Sequence, residues 1–167
     1  MPAHRAVVSV GSNLGDKLDH LRRGLALLES SGAARIIARS RFFRTRPVDF
    51  LDQDWFVNAA VLLQTPLAPR PLLAALKAVE RRVGRAQQAV RFGPRVLDMD
   101  IVLYDALALE SADLTIPHPR MHKRRFVLMP ICDIDPNIVH PVLHKSMAVL
   151  LSEIQDPAQE VEPIACG

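Results

Sequence analysis

Asp98 and Asp100, within the run Arg91-Phe92-Gly93-Pro94-Arg95-Val96-Leu97-Asp98-Met99-Asp100-Ile101-Val102-Leu103-Tyr104, are the residues whose type and spacing most directly suggest chemistry. The apolar residues around them read as a central strand buried on both faces. On a strand, residues i and i+2 point to one face with Cα atoms roughly 6.5–7 Å apart, so the two carboxylates stand side by side. Ionised carboxylates that close repel each other and are costly to bury without a cation. A divalent metal resolves the conflict. Mg²⁺ takes one or two carboxylates and completes its shell with waters and substrate phosphates, and paired ions in two-metal sites lie about 3.5–4 Å apart. Arg91 and Arg95, on a turn made by Gly93 and Pro94, would offer planar donors to phosphate oxygens. The same spacing also suits two surface aspartates on the wet face of an edge strand, paired with those arginines.

Three further groups are chemically suggestive. Asn58 lies inside the apolar run 55–63, and a polar amide in such a strand has a specific partner: either a neighbouring loop backbone or the donor–acceptor edge of a bound heterocycle. Lys77, Glu80, Arg81 and Arg85 fall on or beside the polar side of a helix, where a solvated charged face is the simpler account. Residues 84–90 read as a mobile basic loop that carries Arg85 and Arg91 toward the aspartates, a device that closes over substrate and excludes water. His118, flanked by Pro117 and Pro119, sits on a rigid extended segment. That geometry, with no HExxH glutamate, argues against a zinc pair with His122.

The elements that must position these groups follow from periodicity. Residues 6–10 read as a buried strand ending at Gly11, and Gly11-Ser12-Asn13-Leu14-Gly15-Asp16 as a turn feeding a helix. That turn is no P-loop, because only three residues separate its glycines and no Lys-Ser/Thr follows. Leu18, Leu21, Leu25 and Leu28 stripe the first helix, and Gly32 suits its end. A second strand is expected over 35–43, a polar loop over 45–54, a third strand over 55–63 and a second helix from Pro69 to Val83. Beyond the aspartates come a short return strand within 108–114, a helix over 124–131 disturbed at Pro130, and a short strand at 138–139. A last helix is expected over 146–154 with Ser146 as N-cap. Residues 155–167 read as a loose tail.

The chain has 167 residues, 49% of them hydrophobic and 23% charged. One globular domain over 1–167 is the simplest expectation, and a chain of this length buries about 70% of its unfolded surface without staples. Cys132 and Cys166 are too few and too far apart for a zinc site or a disulfide framework. No apolar run approaches the ~20 residues of a membrane span and no signal segment is evident, so a cytoplasmic protein without a membrane partner is expected. The net charge of +3 is mild and its basic residues cluster locally, which suggests anion sites more than a nucleic-acid surface.

Taken together, several separated segments resemble 6-hydroxymethyl-7,8-dihydropterin pyrophosphokinases. They are residues 11–16, Phe43-Arg44-Thr45, Phe56-Val57-Asn58-Ala59-Ala60-Val61, Glu80 with Gly84-Arg85, and residues 91–100. Ile116-Pro117-His118-Pro119-Arg120-Met121 and Arg124-x-Phe126-Val127-Leu128 complete the set. The match runs from about residue 5 to 155. The resemblance implies an α+β ferredoxin-like sandwich, a mainly antiparallel sheet with helices on both faces. It implies ATP and 6-hydroxymethyl-7,8-dihydropterin as small-molecule substrates and transfer of the β,γ-pyrophosphoryl group to the hydroxymethyl oxygen, in folate biosynthesis. Asp98 and Asp100 would hold two Mg²⁺ ions, with Asp100 helping to take the hydroxyl proton. Arg85 and Arg95 would engage the triphosphate catalytically, with Lys77, Glu80, Arg91, His118 and Arg124 completing the ATP contacts. Phe56 and Phe126 would sandwich the pterin, while Asn58, Thr45, Pro47 and Val48 meet its edge. The chain departs from some relatives at Pro119, Lys77 and Phe92, where they carry Tyr, Gln and Trp. A monomer or weak dimer is expected. Another Mg²⁺-dependent enzyme such as a nucleotidyltransferase, and a non-catalytic ferredoxin-like binding module, are the competing classes.

Overall fold

Alternating apolar side chains and a few well-placed turns build one antiparallel sheet with helices on both faces. The computed structural model describes residues 3–46, 54–84 and 96–165. Five strands lie in the order β5 (Asp98–Tyr104), β1 (His4–Ser12), β4 (Phe56–Thr65), β3 (Phe43–Thr45) and β8 (Val161–Pro163), while β2 (Arg35–Arg39) pairs with the far half of β4. Every pairing in this sheet is antiparallel. Two short strands, β6 (Leu109–Glu110) and β7 (Thr115–Ile116), form a separate hairpin.

The period of two along the strands divides the core into two layers. Val8, Val10, Ala59, Val61, Met99 and Ile101 join one cluster with Leu21, Leu25 and Leu28 of α1 (Lys17–Ser30) and Leu72, Leu76 and Val79 of α2 (Pro69–Val83). Val7, Ala60 and Leu103 join the other, with Val127, Leu128 and Ile131 of α3 (Arg125–Ile134) and Met147 and Leu150 of α4 (Met147–Ser152). A bulge in β5 lets Val102 and Leu103 both enter the second layer, since Val7 pairs with Leu103 and Val8 with Ile101,.

The helix ends obey local chemistry. Asp16 caps α1 by accepting from Asp19 N–H, and Gly32 takes φ +79° just past its end,. Pro69 opens α2 at the position where a missing N–H costs nothing,. Ser146 accepts from Val149 N–H and caps α4, as its sequence suggested. Among the described residues no helix is long and apolar enough to cross a membrane.

Several expectations need correction. The strand expected over 35–43 is broken into β2 and β3. At the break, Ser40 uses both its N–H and its hydroxyl on Ala60, which bends the chain out of the ladder. The strand carrying Asp98 and Asp100 is not central but lies at the sheet edge. The return strand shrinks to Leu109–Glu110, and the strand at 138–139 to a single bridge between Val139 and Ser146. The helix expected over 124–131 extends to Ile134 with Pro130 inside it. Most consequentially, the segment after Ile154 is not a loose tail: residues 161–163 extend the sheet beside β3.

Candidate functional site

The strand register draws the site before any side chain is considered. Gly11 of β1 pairs with Asp98 on one side and with Asn58 on the other, and Asn58 pairs with Phe43. Asp98, Gly11, Asn58 and Phe43 therefore form one row across the sheet on the α3 side. At ~4.8 Å per strand, Asp98 and Asn58 are separated by roughly 10 Å, with a glycine between them. A Cβ at Gly11 would lie 2.5 Å from Asn58 Nδ2, so glycine is required for the amide to lie where it does. Neighbouring rows add Asp100 beside Ser9, and Phe56 beside Thr45.

At the acidic end, β5 is an edge strand and its outer backbone needs partners. Helix α2 supplies them with side chains. Glu80 Oε2 accepts from Met99 N–H at 2.6 Å, and Lys77 Nζ donates to Met99 O at 3.4 Å. Lys77 and Glu80 also pair with each other at 3.0 Å, and the ammonium lies 3.8 Å from Asp100 Oδ1. The two side chains act as a short false strand that fixes the residue between the aspartates. Burial pushes the Glu80 carboxyl up against the opposing pull of Lys77. Lys77 is raised overall: its burial opposes the charge, but Glu80 and Asp100 outweigh that cost. The solvated charged face expected here is thus only partly correct, because these two residues turn inward.

Asp100 remains half exposed and shares a cleft of about 300 Å³ with Lys77, His118 and the hairpin residues Ser111 to Thr115. His118 is anchored by its own N–H to Val102 O at 3.0 Å, and its Nδ1 accepts from Arg120 N–H at 3.2 Å. The Ile116–Pro117 bond before it is cis. Burial lowers the affinity of the His118 ring for a second proton, with Asp100 pulling the other way. Lys77, Asp100 and His118 are thus brought together, whereas Glu80 is spent on the β5 backbone.

At the other end, Thr45 Oγ1 donates to Asn58 Oδ1 at 2.5 Å, and both residues are buried. The partner of Asn58 is therefore a side chain on the adjacent strand and not a loop backbone. Phe56 lies two residues before Asn58 on the same face, half-buried. Phe126, also half-buried, sits in the first turn of α3, with the Arg124 guanidinium 5.6 Å from its ring centre. Pro130 has no N–H to give the Phe126 carbonyl four residues earlier,. The turn after β1 is tied to the segment entering β4: Asn13 donates to Asp54 O, and Lys17 pairs with the Asp54 carboxylate at 2.7 Å. That contact holds the Asp54 carboxyl below its usual range.

Arg85, Arg91, Arg95, Pro47 and Val48 lie outside the described residues. Sequence reasoning missed two contributors. Gly11 was legible only as part of a turn, since its value depends on which residue pairs across from it. Gln159 carried no signal at all, yet its carboxamide donates to Lys123 O and accepts from Arg125 N–H.

Among the described residues no cluster of three or more His, Cys, Asp or Glu side chains exists that could hold a metal unaided. The acidic end offers two hard oxygen donors beside a half-open cleft. That donor set fits Mg²⁺ whose remaining positions are filled by water and phosphate, and not zinc or a closed structural site.

Residues 7–136 match the family described as 7,8-dihydro-6-hydroxymethylpterin-pyrophosphokinase. A Methylorubrum extorquens protein named 2-amino-4-hydroxy-6-hydroxymethyldihydropteridine pyrophosphokinase is 39% identical over 135 residues, covering 81% of this chain and 85% of that one. A Synechocystis protein of the same name is 37% identical over 164 residues, covering 98% and 82%. Folic acid synthesis protein fol1 of Schizosaccharomyces pombe is 35% identical over 156 residues, but the chain spans only 21% of its length. Among solved structures, wild-type Plasmodium falciparum HPPK-DHPS with pteroate aligns with a TM-score of 0.71 over 91% of this chain and 42% of that one. At 14% identity, this likeness concerns the fold alone.

Proposed function

The chain belongs to the 7,8-dihydro-6-hydroxymethylpterin-pyrophosphokinase family, and from that premise we propose that it moves the β,γ-pyrophosphoryl group of ATP onto the hydroxymethyl oxygen of 6-hydroxymethyl-7,8-dihydropterin. The observation that carries this is the row Asp98–Gly11–Asn58, which sets a carboxylate pair and a buried amide on one face of the sheet; the span across Gly11 between them is the proposed substrate groove. A flat heterocycle with a short arm fits that spacing: its edge meets Asn58 and Thr45, and its arm points toward the aspartates.

Asp98 and Asp100 would hold Mg²⁺ together with the nucleotide phosphates. Bound there, the metal would screen phosphate charge and polarise the phosphorus under attack. The protein's own groups do the rest. Asn58, its Oδ1 already engaged by Thr45, is held rigid to read the pterin edge. Phe56 and Phe126 supply faces for the ring, each stacked pair adding about 0.5–1.5 kcal/mol beyond area burial. Lys77 and His118 line a cleft with Asp100, and on this reading they would meet the nucleotide there. In the transfer, the hydroxymethyl oxygen forms a bond to the β-phosphorus, the bond from that phosphorus to the α–β bridging oxygen breaks, and AMP departs. The hydroxyl proton goes to the Asp100 carboxylate. Arg85, Arg91 and Arg95 are assigned to the triphosphate by the family motif, with Arg85 and Arg95 meeting the charge that develops in transfer. Arg124 is assigned to the nucleotide side on the same ground and Pro47 and Val48 to the pterin edge, while Glu80 would serve the nucleotide side indirectly, by holding Met99 between the aspartates.

Incubation with Mg²⁺, ATP and the pterin, followed by nucleotide chromatography, tests the proposal. One AMP per pterin diphosphate is expected, with little AMP when the pterin is omitted. ADP would indicate an ordinary kinase, and free pyrophosphate a nucleotidyltransferase.

A further inference from the structure

The C-terminal segment joins the two walls of the groove's ring end. On one wall, Val161 pairs with Thr45, Arg46 N–H donates to Glu160 O at 3.0 Å, and the Arg46 guanidinium meets Glu160 Oε1 at 2.9 Å. On the other wall, Gln159 straddles Arg124. Its Nε2 donates to Lys123 O at 3.0 Å and its Oε1 accepts from Arg125 N–H at 2.8 Å. Only one orientation of the carboxamide satisfies both groups, since the Lys123 carbonyl can only accept and the Arg125 amide can only donate. The contact also repairs a local deficiency. Helix α3 begins at Arg125 without a side-chain cap from its own N-cap residue, Arg124. Its first N–H would be an orphan without Gln159.

The Arg125 side chain fastens the same segment from below. Its guanidinium donates to Gln159 O at 2.7 Å and to Ile154 O at 3.0 Å. Arg125 thus turns away from the groove, although it stands between Arg124 and Phe126, which turn toward each other. Adjacent residues with opposite tasks explain why four hydrogen bonds meet in so short a stretch.

We propose that Gln159 and Arg125 are positioning residues of the pterin site: they fix the start of α3, and through it Phe126, at a set distance from Thr45 and Asn58. The proposal rests on the pterin assignment made above. Neither residue touches substrate. They act by holding the ring wall in place before the ring arrives, so their loss costs binding more than chemistry.

The test compares wild type, Gln159→Ala, Gln159→Glu and Arg125→Ala as full chains. The readouts are pterin affinity from the ligand's own fluorescence, steady-state KM and kcat, and amide hydrogen exchange over residues 123–128. Gln159→Ala should raise the pterin Kd and KM about tenfold, change kcat less than about threefold, and speed exchange at Arg125 and Phe126. Gln159→Glu keeps the acceptor for Arg125 N–H but loses the donor to Lys123 O, so it should fall between. Arg125→Ala should reproduce the Gln159→Ala pattern. Wild-type pterin affinity in folded Gln159→Ala and Arg125→Ala, with only the melting temperature lowered, would overturn the proposal. Absence of pterin binding in wild type would overturn the pterin assignment first and this proposal with it.

Discussion

The groove's two ends are secured differently. The acidic end is held by neighbours: Asp98 and Asp100 flank Met99 on one strand, and a single helix turn of α2 supplies both partners of the Met99 backbone. The ring end is assembled from β1, β3, β4, α3 and the C-terminal strand, and Gln159 reaches the start of α3 from more than thirty residues away. The contrast suits the chemistry. Phosphoryl-type transfer demands fixed charge at one point, whereas a flat ring needs two walls at a set spacing, and walls can be brought together from anywhere in the chain.

If the contrast is right, the largest effect belongs to the acidic end. Asp98→Ala or Asp100→Ala should lower turnover roughly 10³-fold, about 4 kcal/mol of barrier. The pterin Kd and the melting temperature should stay nearly unchanged. Steady-state kinetics beside fluorescence titration checks this, and a matching loss of pterin affinity would mean that the two ends are not separable.

Glu80 should come next. Glu80→Ala strips Met99 N–H of its partner and leaves a partly buried ammonium at Lys77. It should cost about 1–3 kcal/mol of stability and lower kcat by roughly tenfold, measured by denaturant unfolding and initial rates. Glu80→Gln keeps an acceptor for Met99 N–H and should retain more of both.

At the ring end, Gly11→Ala should act through Asn58. The added methyl collides with the amide, so the pterin KM should rise about tenfold while the ATP KM moves little. Asn58→Ala should do the same, whereas equal changes in both KM values would place Asn58 outside ring recognition.

The acidic end was the more legible because its two carboxylates are placed by local spacing. The i, i+2 spacing of the aspartates and the apolar run around them were enough to put both carboxylates on one face. The α2 boundaries, Pro69 and Val83, were also legible, since proline opens the helix and the apolar stripe ends there. What sequence could not show was that β5 lies at the sheet edge, and hence that Lys77 and Glu80 have a backbone to serve. Strand order is a long-range property that no window of residues contains. The ring end was legible only as fragments. Asn58 looked unusual, but its partner Thr45 follows from a register set by two separated strands. The C-terminal strand is three residues long and rich in polar and proline neighbours, so its propensity alone points to a loop. Pairing with β3 decides otherwise.

The smallest predicted effect concerns acid. His140 is buried, its Nδ1 accepts from Val142 and Leu143 N–H, and its ring meets His122 edge-on at 6.2 Å. Burial, with His122 and His144 nearby, keeps its proton affinity below the usual histidine range. The unfolded chain therefore binds the proton more readily. The stabilisation from neutral His140 is complete above about pH 6.5 and is lost as pH falls from there toward the lower folded value. Thermal melts between about pH 7.5 and 5.5 should show a decline that His140→Asn flattens, since asparagine can accept the same turn hydrogen bonds.

In the proposed reaction the groove directs attack to the β-phosphorus. ATP carrying heavy oxygen in the α–β bridge, turned over with the pterin and analysed by phosphorus NMR and mass spectrometry, tests it most directly. Attack at the β-phosphorus leaves the heavy oxygen on AMP, and the pterin diphosphate emerges unlabelled. Label in free pyrophosphate would mean attack at the α-phosphorus, and label retained in ADP attack at the γ-phosphorus. Either result would rule out attack at the β-phosphorus.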